Sequence, residues 1–229
     1  MAWQVIHLAD VAPTPWKNGG GTTRELVAWP DAEHWVWRMS VAEVAQSGPF
    51  SRFDGVQRWF AVLGGAGVAL THDGTRNALN VDSAPFCFDG GLPTACDLID
   101  GATQDFNLMI RLAGDGVEVG VARVAGVARA SATMKRVRGS ASIHVSVLPN
   151  TTKIVATYSL STRATARFNG ENTPILHRSL AWRTVAAHDV IQIAAEDALL
   201  IEIEVAHHFA GSATQVRPTH AATDSQSAL

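Results

Sequence analysis

Hydrophobic and polar residues alternate along much of this chain with the two-residue period of a β-strand. In DFNLMIRL (residues 105–112), Phe106, Leu108, Ile110 and Leu112 fall on one face, and Asp105, Asn107, Met109 and Arg111 on the other. In WVWRMSVAEV (35–44), Trp35, Trp37, Met39 and Val41 oppose Arg38 and Ser40. RWFAVLGGAGVAL (58–70) reads as strand, glycine turn, strand. The second half has the same texture. SIHVSVLP and KIVATYSL read as paired strands around a PNTT turn. HDVIQIAAEDALLIEIEV (188–205) reads as two strands about a turn near Glu196 and Asp197. Helical periodicity is scarce, its best instance being one turn after Gly19. Many short strands punctuated by Gly and Pro predict an all-β sandwich or barrel, and two similar halves predict a duplicated barrel.

An alternating strand has two readings. Its polar face meets water in an open sandwich, or lines an interior pocket in a closed barrel. A solvated face usually carries Lys, Glu and Thr, whereas these faces carry Arg38 with Ser40, and Asp105 with Asn107, Met109 and Arg111. Guanidinium gives paired hydrogen bonds to a carboxylate, so this set suits a small anionic or amide-bearing ligand. Asp105 equally serves to neutralise an arginine. It is also the one candidate for general acid–base work.

The stretch PWKNGGGTTRE (15–25) places three glycines among hydrogen-bonding groups. Its lysine precedes the glycines, so it is no phosphate loop of the Walker type, and it lacks the third glycine of a dinucleotide fingerprint. An anion nest of backbone N–H groups and a plain turn with an Asx-type bond from Asn18 both remain open.

Composition narrows the classes. The chain has 229 residues, 47% hydrophobic and 17% charged, with net charge −3. That balance argues against nucleic acid or an anionic membrane as partner. No apolar run approaches the ~20 residues of a membrane helix, and the start of the chain does not read as a signal peptide. Cys87 and Cys96 are then expected to be reduced, in a cytoplasmic protein. Nine histidines include no H-x-H pair, so no metal site and no cofactor are expected. No catalytic nucleophile is expected either, for want of a G-x-S-x-G elbow. Residues 211–229 are polar and poor in large apolar groups, which predicts a disordered tail.

Six stretches together resemble the HutD/Ves family: PWKNGGGTTREL, WRMSVAEV, GPFSRFDGVQR, VLGGAGVAL, PFCFDGG and DFNLMIR. They take in most of residues 15–111; the second half matches only as a pattern of strands. The resemblance implies a bicupin, with two double-stranded β-helix (RmlC-like jelly-roll) barrels in one chain. The first barrel would span residues 1–125 and the second 126–210. It implies no metal and a link to bacterial histidine utilisation. There the family is regarded as a small-molecule-binding regulatory or accessory component, with urocanate or N-formylglutamate as proposed ligands. Other members are linked to environmental stress response. One departure is DGG (89–91), where members often carry GD; it affects only a turn. The expected ligand-binding set is Lys17, Asn18, Gly20, Gly21, Arg24, Arg38, Ser40, Phe50, Ser51, Arg58, Asp105, Asn107 and Met109. The ligand would be a small carboxylate or formyl-amide, and the assembly state leaves a homodimer open. A metal-free cupin enzyme, an isomerase or hydrolase of a small carboxylic acid, is the alternative.

Overall fold

The computed structural model describes residues 2–112 and 127–207, so the expected boundary near residue 125 and the expected tail lie outside the described residues. The described chain is nearly all-β, its one helical element being a 3-10 turn at Leu8–Asp10. The first half holds β1 (Gln4–His7), β2 (Thr14–Pro15), β3 (Gly21–Trp29), β4 (Trp37–Val44), β5 (Gly48–Pro49) and β6 (Val56–Gly64). It continues with β7 (Val68–His72), β8 (Thr75–Leu79), β9 (Phe86–Asp89), β10 (Thr94–Leu98) and β11 (Thr103–Arg111). The second half holds β12 (Val127–His144), β13 (Thr151–Ser159), β14 (Ala164–Phe168), β15 (Glu171–Ile175), β16 (Ser179–Val185) and β17 (Val190–His207).

In the first half a six-stranded sheet, ordered β2-β3-β4-β11-β6-β9, faces a four-stranded sheet, ordered β5-β10-β7-β8. In the second half one seven-stranded sheet bends over on itself. Its long strands β12 and β17 pair along their whole length, with a register shift between Val137 and Gly139. Beyond that shift β17 changes neighbours: residues up to Ala195 pair with β14, and residues from Ala198 pair with β13. The expected turn at Glu196 and Asp197 is therefore a bend in one strand. Arg136 fixes that bend, holding both oxygens of Asp197 at 2.7 and 2.6 Å.

The expected hairpin around PNTT also resolves differently. β12 and β13 do not pair with each other; β17 runs between them. The helical turn expected after Gly19 is strand β3. β1 belongs by sequence to the first half, yet it hydrogen-bonds to β16 of the second.

The apolar faces of β4 and β11 turn away from their own half. Trp37, Met39, Phe106, Leu108 and Ile110 pack against Tyr158, Leu180, Trp182, Leu199 and Ile201. The contact includes Trp37 edge-on to Trp182 at 5.3 Å and Phe106 against Tyr158 at 5.1 Å. This shared apolar layer joins the halves, and its burial is the main force holding them together. Because side chains alternate, the opposite faces of the same strands must point into the first half's interior.

Candidate functional site

The register places the inward side chains in rows across the sheet. One row runs Arg38 on β4, Met109 on β11, Arg58 on β6 and Phe88 on β9. The next runs Ser40, Asn107, Phe60 and Phe86, and a third brings Asp105 beside Ala42 and Val62. Two arginines thus flank one methionine, with an amide in the next row and a carboxyl in the row beyond it.

Arg58 is buried and donates from Nη2 to Asn107 Oδ1 at 2.9 Å. Asn107 in turn donates from Nδ2 to Asp105 Oδ1. The guanidinium of Arg58 lies 4.9, 5.1 and 5.8 Å from the ring centres of Phe50, Phe88 and Phe53. Such cation–π contacts offset part of the cost of removing the charge from water. Among the described residues, two atoms in this cluster find no hydrogen-bond partner: Arg58 Nε and Asp105 Oδ2. Burial lowers the Arg58 pKa to about 10, so it stays cationic near neutrality. Burial raises the Asp105 pKa to about 8 against the opposing pull of Arg58 and the Asn107 bond. Asp105 is therefore a mostly neutral acid at pH 7.

Arg38 sits on the same wall. Its guanidinium lies 4.8 Å from the Trp35 ring and 5.2 Å from Phe53. Its Nε and Nη2 point at Met109 Sδ, a weak acceptor, at 3.3 and 3.2 Å. Glu25 stands 3.5 Å away, with its side chain 37% exposed, so it neutralises Arg38 only through solvent-screened contact. Phe53 lies between the two guanidiniums and contacts both. Arg111 adds a third cation, 4.4 Å from the Trp35 ring, with Nε unpartnered. Among the described residues, three arginines thus share this interior with one part-exposed glutamate and one neutral acid.

Of the expected set, Arg38, Ser40, Phe50, Arg58, Asp105, Asn107 and Met109 come together here. The glycine loop does not join them. Lys17 and Asn18 are exposed, and Asn18 Oδ1 accepts from Gly20 N–H at 3.0 Å, an Asx turn. Gly21 lets β3 approach β4, since a Cβ there would lie 2.3 Å from Glu43 O. Arg24 pairs with Val41, whose side chain belongs to the layer between the halves, so Arg24 is on the far side of the sheet. Its Nη1 donates to Val11 O. Ser51 is exposed. The expected set leaves out Trp35, Phe53, Phe88 and Glu25, and also Arg111, although the alternation puts Arg111 on the same polar face as Asp105, Asn107 and Met109. Phe53 and Phe88 were signalled in GPFSRFDG and PFCFDGG, where a second aromatic follows the first at short spacing.

Two surface clefts lie elsewhere. One of about 380 Å³ borders the segment carrying Phe50, and one of about 400 Å³ lies between residues 82–85 and 134–138. Among the described residues, no three His, Cys, Asp or Glu side chains are grouped to hold a metal ion. No helix there is long and apolar enough to cross a membrane, which does not bear on strands.

The model of the family described as HutD matches residues 8–214. An uncharacterised 21.2 kDa protein in the hutC 3' region of Pseudomonas putida is 38% identical over 108 residues, 46% of this chain and 57% of that protein. Protein Ves of Cronobacter sakazakii is 36% identical over 110 residues, 46% of this chain and 61% of its own length. The chain therefore spans little more than half the length of these curated relatives. Among solved structures, HutD from Pseudomonas fluorescens SBW25 superposes with a TM-score of 0.72 at 29% identity, covering 90% of this chain and all of that one. The fold is nearly all-β and cupin-like.

Proposed function

The chain belongs to the HutD family, and on that premise we propose that its first half binds a small carboxylate or formyl-amide ligand of histidine utilisation. The role is regulatory or accessory, and N-formylglutamate and urocanate are the ligands to test. One observation carries the reading. Arg38 and Arg58 stack on the same phenyl ring, Phe53; Arg38 turns Nε and Nη2 to the Met109 sulfur and Nη1 to the part-exposed Glu25, while Arg58 gives Nη2 to the neutral amide of Asn107 and its Nε has no partner among the described residues. A desolvated guanidinium without an ionised counter-ion favours an incoming carboxylate. The P. putida relative's place near hutC fits this pathway. We further propose that each half is one jelly-roll barrel, with residues 1–125 and 126–210 as the two units and β1 exchanged between them. The matching strand orders support this: β9-β6-β11-β4 in one half parallels β16-β13-β17-β12 in the other. Isothermal titration with each compound tests the ligand reading. Heat is expected from at least one with the unaltered chain and from neither with Arg58→Met. Absence of heat and of any thermal shift at millimolar ligand overturns it.

A second reading has its own support. Asp105, neutral near pH 7 and bare at Oδ2, is placed to give a proton to a ligand oxygen held by Arg58. That favours a metal-free isomerase or hydrolase. Following each compound by NMR in the presence of the protein decides between them: turnover abolished in Asp105→Asn supports catalysis, and unchanged spectra reject it.

A further inference from the structure

Arg58 and Asn107 are each 5% exposed and Asp105 1%. An anion from solvent reaches them only if a cover moves. Three phenyl rings lie over Arg58. Phe88 is fixed, because β9 is hydrogen-bonded to β6. Phe50 and Phe53 both come from one strap, residues 48–55, which joins β4 to β6 across the interior. Its ends are held by the two-residue pairing of Gly48 and Pro49 with Cys96 and Ala95 and by Leu112 N–H to Gly55 O at 2.8 Å. Between them the bonds to the rest of the chain are Phe50 N–H to Thr94 O at 2.9 Å, Phe53 N–H to Gly90 O at 2.8 Å, and Arg52 Nε to Gly91 O at 2.8 Å. Glycines stand at both ends. At Gly48 nothing lies within 4 Å of an added Cβ, and Gly55 has φ +69°. Beside the strap is the cleft of about 380 Å³, walled by Phe50, Arg52, His72, Gly74 and Thr94. That space is ample for a phenyl ring.

We propose that residues 48–55 are a hinged cover that turns about Gly48 and Gly55, swings Phe50 into the neighbouring cleft, and so admits an anion to Arg58. The inference rests on the reading of the arginine pair as an anion site, so its test uses no ligand. Pro49 and Ala95 are register partners of β5 and β10. The neighbouring pair, Phe50 and Thr94, is the hydrogen-bonded one, so Pro49 and Ala95 are of the close type, with Cα atoms about 4.5 Å apart. A disulfide spans that distance. Pro49→Cys with Ala95→Cys, in a Cys87→Ala background, therefore locks the strap reversibly.

The probe is phenylglyoxal, which modifies arginine, with the initial rate at Arg58 read by mass spectrometry. Arg58 should label at least tenfold more slowly in the oxidised variant than after reduction, while exposed Arg163 labels equally in both. Equal Arg58 rates in the two forms overturn the proposal. Hydrogen exchange of the unaltered chain gives a second readout that needs no variant. The Phe50 and Phe53 amides should exchange at least tenfold faster than that of Leu108 in β11; equal protection also overturns it. If these readouts hold and no carboxylate binds, the anion reading fails and the moving strap stands.

Discussion

Each half carries a cation on an equivalent strand, facing its own interior: Arg58 on β6 and Lys153 on β13. In the second half the neighbouring strand answers in kind. Lys153 Nζ lies 3.1 Å from Glu202 and 3.3 Å from Glu204, both on β17. Burial pushes the Lys153 pKa down, and the two glutamates more than offset it, so it ends above the ordinary lysine value. In the first half the neighbouring strand β11 offers an amide and an acid that holds its proton. One cation has its counter-ions supplied by the chain; the other lacks an ionised one. A cluster that satisfies itself needs no ligand to explain it, whereas a bare buried donor calls for an account, and the proposed anion supplies one.

The largest expected effect lies in pH. An unfolded Asp105 ionises near 3.8 and the folded one at about 8. Between those values the folded chain holds a proton that the unfolded chain has lost, so stability falls as pH rises through the window. It is level below the lower value and above the upper one. Each pH unit crossed costs about 1.4 kcal/mol at the full slope. Asp105→Asn should remove this slope, measured by urea unfolding at pH 5 and 8. A wild-type slope that persists in the variant would show that the proton sits elsewhere. In the second half stability also falls with rising pH, but from the opposite cause and in a higher range: the Lys153 ion pairs contribute stability that is present below pH 10.5 and is lost above it, as the raised value is crossed.

Next comes a double dissociation. Arg58→Met should weaken ligand binding by about 2–5 kcal/mol, the usual cost of removing a charged donor from a desolvated site. It should leave stability nearly unchanged, because removing a buried cation's desolvation cost offsets the loss of its bond to Asn107 Oδ1, and Asp105 stays neutral. Lys153→Met should do the reverse. It leaves two glutamates without their cation, and their side chains are 24% and 40% exposed, so water relieves part of the penalty. A loss of about 1–3 kcal/mol is expected, below the roughly 3–5 kcal/mol of a fully buried pair, with ligand affinity untouched. Chemical unfolding and titration calorimetry on both variants check this. If both lose stability alike, the two cations do the same work and the contrast between the halves collapses.

Alternation in the sequence revealed the strands and their two faces, and it grouped Asp105, Asn107, Met109 and Arg38 correctly. It did not say which face meets which neighbour. The apolar faces of β4 and β11 serve the layer between the halves, and only that layer forces the polar faces inward. Long-range pairing was equally hidden. β17 joins both β12 and β13, a choice made by register between residues far apart in sequence, from Ser159 with Ala198 to Val127 with His207. The aromatic cover was legible only as composition, because a phenyl ring in a loop signals nothing until its partner arginine is placed.

The smallest expected effect tests the glycine loop. Sequence proximity put Arg24 beside the pocket, since it follows the three glycines and guanidinium suits an anion. A bulge between Glu25 and Val27 helps to undo that reading. Glu25 pairs with Ser40 and faces the interior, so Arg24, one residue earlier and opposite Val41, must face the other way. Its guanidinium instead ties β3 to the segment before β2 through Val11 O. Arg24→Ala should therefore leave ligand affinity within twofold of the unaltered chain. It should cost about 0.5–1.5 kcal/mol of stability, the net worth of one such hydrogen bond. Arg38→Ala, on the inward face two strands from Arg58, should weaken binding at least tenfold in the same titration. If Arg24→Ala loses affinity as Arg38→Ala does, the loop reaches the ligand by a route that the sheet register forbids, and the division between inner and outer faces of β3 is wrong.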